Sequence, residues 1–369
     1  MWRPLFLISD LLIYAVILIL ITYLVHILKS PLARQEWQAA TKGVACKLAL
    51  VVLAIYLGIT LLDSIHFRKS NHASVTTSVL DILLKPYSDE TETTYSKPFS
   101  KTSDALSFIH DVDGWHGIHE PLKRTHILGT DKVGTDVFYK VMKSIRTGVL
   151  IGSVTTLLML PFAIILGLTA GFKRGWFDMT VQAIYSLLAA IPSILLIVAS
   201  ILSLQVLIER HEVLFASSLE RSDLRLMSLA GILGITGWTG LCRYLRAEAM
   251  KLKESEFIQA AKMMQASTFY IMRKHLLPNV MHLVIITAAM DFSFLVLAEA
   301  VLSYLGVGVD ANTYSFGNMI NAARTELARE PIIWWPLLGS FVGLMGLVLS
   351  ANIVADSIRD KFDPRFKNA

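Results

Sequence analysis

Asp291 and Glu299 are carboxylates set in a long apolar stretch, thirteen and twenty-one residues beyond Pro278. On a helix, thirteen residues rise about 20 Å, which would carry Asp291 deep into a bilayer. Eight residues separate the pair, so both fall on nearly the same helical face. Ionisable groups in such a setting are costly and face a cavity or a partner helix. Their chemistry would be that of charge sensors along a translocation path. The competing reading is a carboxyl group hydrogen-bonded between packed helices, and Glu299 fits it better than Asp291. A second constellation, HDVDGWHGIHE, gathers the metal-ligand types His110, Asp111, Asp113, His116 and His119. It lacks a recognised metal-site spacing, and a solvated loop accounts for the same residues, so no metal site is assigned. Cys46 and Cys242 carry no C-x-x-C spacing and suggest neither a metal site nor a disulfide framework. No nucleophile, base or metal constellation argues for an enzyme.

The elements that must hold these residues are membrane spans. Of 369 residues, 54% are hydrophobic and only 17% charged, and the mean hydropathy is +0.55. A soluble domain keeps about a quarter of its residues charged. Seven apolar blocks, 5–28, 45–62, 148–171, 180–208, 226–245, 279–305 and 332–355, approach or exceed the ~20 residues that cross a bilayer as a helix. They are continuous rather than alternating, so they are helices and not barrel strands. The first is longer than a signal-peptide core and no small-x-small site follows it, so it reads as a retained span. The fold class is therefore all-α and polytopic.

Basic residues set the sidedness. Lys29, Arg34, Lys42, Lys173, Arg174, the run from Arg243 to Lys274 and the tail from Arg359 to Lys367 fall on one side. Few fall in the short loops of the other. This bias places the N-terminus outside and the C-terminus in the cytoplasm. Four regions follow: two N-terminal spans (1–62), an extracytoplasmic polar loop (63–147), a five-span core (148–355) and a cytoplasmic tail (356–369). The polar loop is rich in Ser, Thr, Asp and Lys from Lys85 to Asp104 and reads as exposed. Its end, Asp136–Arg146, has an apolar stripe of Val137, Phe138, Val141, Met142 and Ile145. That stripe predicts an amphipathic helix lying on the outer membrane surface.

Between the fifth and sixth blocks, KLKESEFIQAAKMMQASTFYIMRKHLLP (251–278) is too polar to span. Phe257, Ala260, Ala261 and Met264 form a narrow, shallow apolar stripe. A break is expected at Ala266–Thr268, with Ser267 or Thr268 capping the next helix, and Pro278 opening the following span. By pattern alone, an amphipathic helix in the lipid interface and a protein-docking helix fit equally well.

This segment resembles the signature loop of ABC importer permeases: Glu-Ala-Ala, three residues, Gly, nine residues, Ile-x-Leu-Pro. Here the loop reads Gln259-Ala260-Ala261, Gln265, then His275-Leu276-Leu277-Pro278, so two glutamines replace the glutamate and the glycine. HILGTDKVGTDVF (126–138), LAEAVLSYLGVGV (297–309), SFGNMI (315–320) and DSIRDKFDPR (356–365) are similar to the C-type permeases of dipeptide, oligopeptide and nickel importers. That subfamily usually carries Arg where this chain has Thr135. The matches are collinear over roughly residues 126–365, and the span at 5–28 is additional to the usual six.

The resemblance implies a type I permease core, with 254–268 as a coupling helix seated on a separate ATPase. Glu256, Phe257, Gln259, Ala260, Ala261, Met264 and Gln265 would carry that contact. It implies a sister permease, two ATPase subunits holding ATP and Mg, and an extracytoplasmic solute-binding protein docked near Gly306–Pro331, all at a bacterial inner membrane. No G-x-x-x-x-G-K-[ST] occurs, so this chain would need the ATPase as a partner and would bind no cofactor itself. The rivals are an ATP-independent secondary transporter or channel, and a membrane enzyme built on the 63–147 loop.

Overall fold

A computed structural model describes residues 2–5, 7–69, 76–88, 91–111, 114–210, 218–330 and 332–362, with the side chains of 2–4, 26, 32–33, 36, 39, 68–69, 104–120, 209, 218–219 and 362 outside that description. β1 (Trp2–Leu5) precedes helix α1 (Ile8–Lys29), α2 (Pro31–Ala40) and α3 (Val44–Asp63). β2 (His66–Lys69) pairs antiparallel with β1 and with β3 (Thr76–Ser78), and Leu5 opposes His66. That register brings the start of α1 beside the end of α3. Two short helices follow, α4 (Val79–Leu83) and α5 (Lys85–Ser88). Ser78 and Asp81 form a reciprocal capping box at α4. β4 (Thr102–Asp111) and β5 (Gly114–Pro121) make an antiparallel hairpin. The 63–147 segment thus contains strands and short helices, where the sequence predicted an exposed loop.

The axis of the molecule is α6 (Val137–Lys173), 37 residues and hence about 55 Å long. The predicted surface helix at 136–146 is instead the first part of α6. Val137, Val141 and Ile145 pack with Phe316, Trp335 and Leu347, so their stripe faces protein rather than lipid. The helix runs unbroken from Val137 into the third apolar block, so this side of it packs against α14 and α15 while Phe138 and Met142 stay half-buried.

The block at 180–208 is not one straight span. α7 (Trp176–Ala190) and α8 (Ser193–Arg210) meet at 89°. The break lies at Ile191–Pro192: Ile191 is extended (φ −88°, ψ 132°), as a residue before proline favours. Beyond it run α9 (Ser218–Gly237), α10 (Thr239–Lys253), α11 (Glu256–Met263) and α12 (Thr268–Ile271). A π-turn (Met272–Leu276) leads into α13 (Leu277–Tyr304), followed by α14 (Phe316–Glu326) and α15 (Trp335–Phe362). α15 extends seven residues past the block that ended at 355, so the tail at 356–369 begins as helix. Among the described residues, six helices are long and apolar enough to cross a membrane, and the α7–α8 pair makes up to a seventh.

α6 and α10 approach most closely at Gly167-x-x-x-Gly171. A methyl group on Gly167 would lie 2.8 Å from the Cys242 carbonyl oxygen, and one on Gly171 would lie 2.5 Å from that of Arg246. Small residues at this spacing let helix backbones touch inside a bilayer. α13, α9, α3 and α15 complete the ring around α6, while α1 leans on α6 and α9 and leaves most of its apolar surface open.

Candidate functional site

The segment between α10 and α13 sits at the C-terminal end of α6. The Lys253 and Lys262 ammonium groups lie 5.8 and 5.3 Å from the Phe172 ring centre. α11 has two distinct faces. Ile258 (0% exposed) and Ala261 are buried in the chain's own core with Ile271 and Leu276. Phe257, Ala260, Met263 and Met264 point outward, the two methionines 85% and 84% exposed. The predicted stripe is therefore split: Ala261 is not available to a partner, because it is the i+3 neighbour of the buried Ile258. Glu256 is exposed on the first turn.

The two glutamines have definite places. Gln259 Nε2 donates to the Lys253 carbonyl at 3.1 Å, tying α11 back to the end of α10. Gln265 takes φ +56°. Its N–H bonds the Lys262 carbonyl at 2.9 Å and the Ala266 N–H bonds that of Ala261 at 3.1 Å. These two bonds make a Schellman cap with Gln265 in the left-handed position that glycine usually fills. The chain then turns, and the Ser267 hydroxyl accepts from the Tyr270 N–H at 3.3 Å, as predicted for the next cap. Pro278 stands in the first turn of α13 but does not begin a separate helix. The π-turn joins α12 to α13, so 268–304 runs on through the proline.

Asp291 is half-buried on α13, with no hydrogen bond or ion pair among the described residues. Glu299 is 0% exposed; the Ser303 hydroxyl donates to its Oε1 at 2.7 Å and its Oε2 has no partner among the described residues. α14 presses close there, since a methyl on Gly317 would meet the Ala300 carbonyl oxygen at 2.4 Å. Glu299 is thus enclosed between packed helices rather than presented to an open path. The backbone of β4 and β5 sets Ile109 opposite His116 and His110 opposite Trp115. Asp113 and the side chains of His110, Asp111, His116 and His119 lie outside the described residues.

At the opposite end of α6 lies a site that the sequence reading missed. A cavity of about 350 Å³ is lined by side chains from α3, α4, α6 and α9 and from the 312–314 loop. Arg146 donates to Asp10 Oδ1 at 2.6 Å and to Ser9 Oγ at 2.7 Å, while His66 Nδ1 lies 2.9 Å from Asp10 Oδ2. Lys143 reaches Asp63 at 2.6 Å and Asp81 at 2.9 Å. Burial pushes the Asp81 carboxyl up, but the Lys143 charge, the Ser78 N–H and the Tyr139 hydroxyl outweigh it. They hold it below the usual carboxylate range. Asp10 within the first apolar block and Lys143 and Arg146 just before the third were the available signals, since charges so placed need partners.

The HILGTDKVGTDVF motif builds the entrance to α6. His126 is buried between Asp136 (2.6 Å) and Glu92 (3.4 Å). Asp136 caps α6 by accepting from the Tyr139 N–H at 3.0 Å. Gly134 (φ +74°) is required, because a side chain there would lie 1.8 Å from the Glu92 carbonyl oxygen. Trp335 at the head of α15 donates from Nε1 to the Thr130 carbonyl at 2.8 Å, and Tyr95 donates to Glu326 of α14. The motif therefore ties the start of α6 to the head of α15, and Tyr95, from the segment before it, adds a tie to α14.

Residues 163–368 match the family of binding-protein-dependent transport system inner membrane components. The oligopeptide transport system permease protein OppC of Bacillus subtilis is 28% identical over 67% of this chain and 74% of its own. A putative peptide permease protein of Brucella suis is 30% identical over 65% of this chain and 73% of its own. The dipeptide transport system permease protein DppC of Bacillus subtilis is 28% identical over 67% and 71%.

Proposed function

The chain belongs to the family of binding-protein-dependent transport system inner membrane components, and from that premise we propose that it is the membrane-spanning subunit through which a peptide importer passes its solute. It is a multi-pass permease subunit, and the ATP-independent rival is set aside with the family match. In this reading, residues 254–268 dock on a separate ATPase, and ATP and Mg act there rather than in this chain. A sister permease completes the path and an extracytoplasmic binding protein delivers the peptide. The basic residues around α11 favour a cytoplasmic position for that helix, with the polar cavity outside. No catalysis is assigned to the chain itself.

The observation that carries the coupling role is the two-sided construction of α11. One face is locked into the permease core through Ile258 and Ala261, and the other shows Phe257, Ala260, Met263 and Met264 uncovered. A helix anchored in this way transmits a push as a rigid body, where a loose loop would absorb it. Met264→Cys, cross-linked in native membranes, is expected to yield an adduct with a protein carrying a Walker A sequence. Proteoliposomes holding the whole complex and its binding protein should take up peptide only with ATP. Uptake without ATP, or cross-linking to lipid alone, would overturn the reading.

A further inference from the structure

We propose that the cavity at the outer end of α6 is a binding site for a primary ammonium group, and specifically for the N-terminal ammonium of a short peptide. The choice of peptide rests on the function proposed above; the ammonium rests on the cavity alone. Asp10 is paired with Arg146 and His66, while Asp63 and Asp81 share Lys143. Asp223, at the start of α9, lines the same cavity and is 8% exposed. One of its oxygens accepts from the Ser9 N–H at 3.3 Å, and no Lys, Arg or His pairs with it among the described residues. His66, Lys143 and Arg146, the basic side chains of the cavity, are already engaged by other carboxylates, so the buried Asp223 carboxyl has no cationic partner among the described residues.

A buried carboxyl group left without a cationic partner is a place where a cationic ligand supplies what the protein does not. The cavity volume of about 350 Å³ fits a small organic molecule rather than a bare ion. No group of three or more His, Cys, Asp or Glu is arranged to hold a metal among the described residues. An ammonium offers three N–H donors. Asp223 can take one, and Ser222 and Thr313, which also line the cavity, supply neutral acceptors. Leu226 and Tyr314 give the remainder of the ligand an apolar wall.

The test uses the complete transporter in nanodiscs without its binding protein, titrated with Ala-Ala, N-acetyl-Ala-Ala and ethylammonium. Ala-Ala is expected to bind at least 10-fold more tightly than its acetylated form. Asp223→Asn should remove that preference and weaken Ala-Ala at least 10-fold, whereas Asp223→Glu retains part of it. Equal affinity for the two peptides, no binding of any amine, or an unchanged Asp223→Asn protein would overturn the proposal. Should Asp223→Asn fail to assemble, the comparison of acetylated and free peptide on the unaltered protein decides alone. ATP-driven peptide uptake indifferent to acetylation and to Asp223→Asn would uphold the importer and sink this site. Binding of ethylammonium lost in Asp223→Asn, with no peptide bound or transported, would uphold the ammonium site and sink the peptide reading.

Discussion

Arg146 of α6 reaches Asp10 of α1 at 2.6 Å, with Asp10 fully buried and Arg146 largely so. This pair fastens the N-terminal helix to α6 at one end, while the rest of α1 has few buried side chains. Removing one partner strands the other. Asp10→Ala is expected to lower stability by about 3–5 kcal/mol, the usual cost of breaking a buried pair. Asp10→Ala combined with Arg146→Ala should cost less than the two single changes added together, and unfolding titrations in detergent would measure that coupling.

Gln265 sits in a left-handed cap at φ +56°. That conformation costs a residue with a Cβ about 1–2 kcal/mol, against the 0.5–1 kcal/mol of extra backbone entropy that glycine loses on folding. Gln265→Gly should therefore stabilise the chain by roughly 1 kcal/mol or somewhat less. Gln265→Val should destabilise it by more than that, since a β-branched side chain tolerates this conformation least. Unfolding midpoints of the three proteins give the order directly.

Gly134 and Gly231 should respond oppositely to alanine. The first has φ +74° and a carbonyl oxygen 1.8 Å from where a Cβ would go; the second is helical with nothing within 4 Å. Gly134→Ala combines a strained dihedral with overpacking, together about 2–4 kcal/mol. Gly231→Ala should be neutral or stabilising by up to about 1 kcal/mol, because alanine is the better helix former. Thermal unfolding of both variants is the check.

What the sequence made legible was governed by local pattern. The apolar blocks marked the spans, and residue type and position narrowed the next cap to Ser267 or Thr268, of which Ser267 serves. The 89° bend at Ile191–Pro192 was concealed because hydropathy continues unbroken through it. The stripe at 137–145 looked interfacial because its burial comes from Phe316, Trp335 and Leu347, each more than 160 residues away. The same holds for α11, where only tertiary contacts separate buried Ala261 from exposed Ala260. The cavity at the start of α6 was invisible for a related reason: Asp10, Asp63, His66, Lys143, Arg146 and Asp223 come from five separate elements and share no motif.

His126 ties stability to pH. Its hydrogen bond to Asp136 raises its pKa, burial opposes this, and Glu92 adds to the rise. A histidine whose folded pKa is raised stabilises fully below its unfolded value, near 6.5, and loses that contribution as pH climbs through the folded value. Stability should therefore decline from about pH 6.5 upward through the neutral range. His126→Gln should flatten that dependence while lowering stability at acid pH. Unfolding midpoints taken at several pH values test both statements.

The outward face of α11 separates docking from folding. Ile258 lies within α11 and Met264 caps its end six residues on, yet one is 0% exposed and the other 84%. Ile258→Asp would bury an unpaired charge in the core and should prevent assembly of the permease itself. Met264→Asp places the same charge in water and should leave the permease folded, with an unfolding free energy within about 0.5 kcal/mol of the parent. If the exposed methionines and Phe257 fill an apolar groove on an ATPase, Met264→Asp must desolvate a carboxylate there, which costs several kcal/mol. The expected result is loss of ATPase co-purification and of ATP-driven uptake by at least tenfold, with the permease monodisperse and normally stable. Retention of both activities in Met264→Asp would show that this face does not contact the motor.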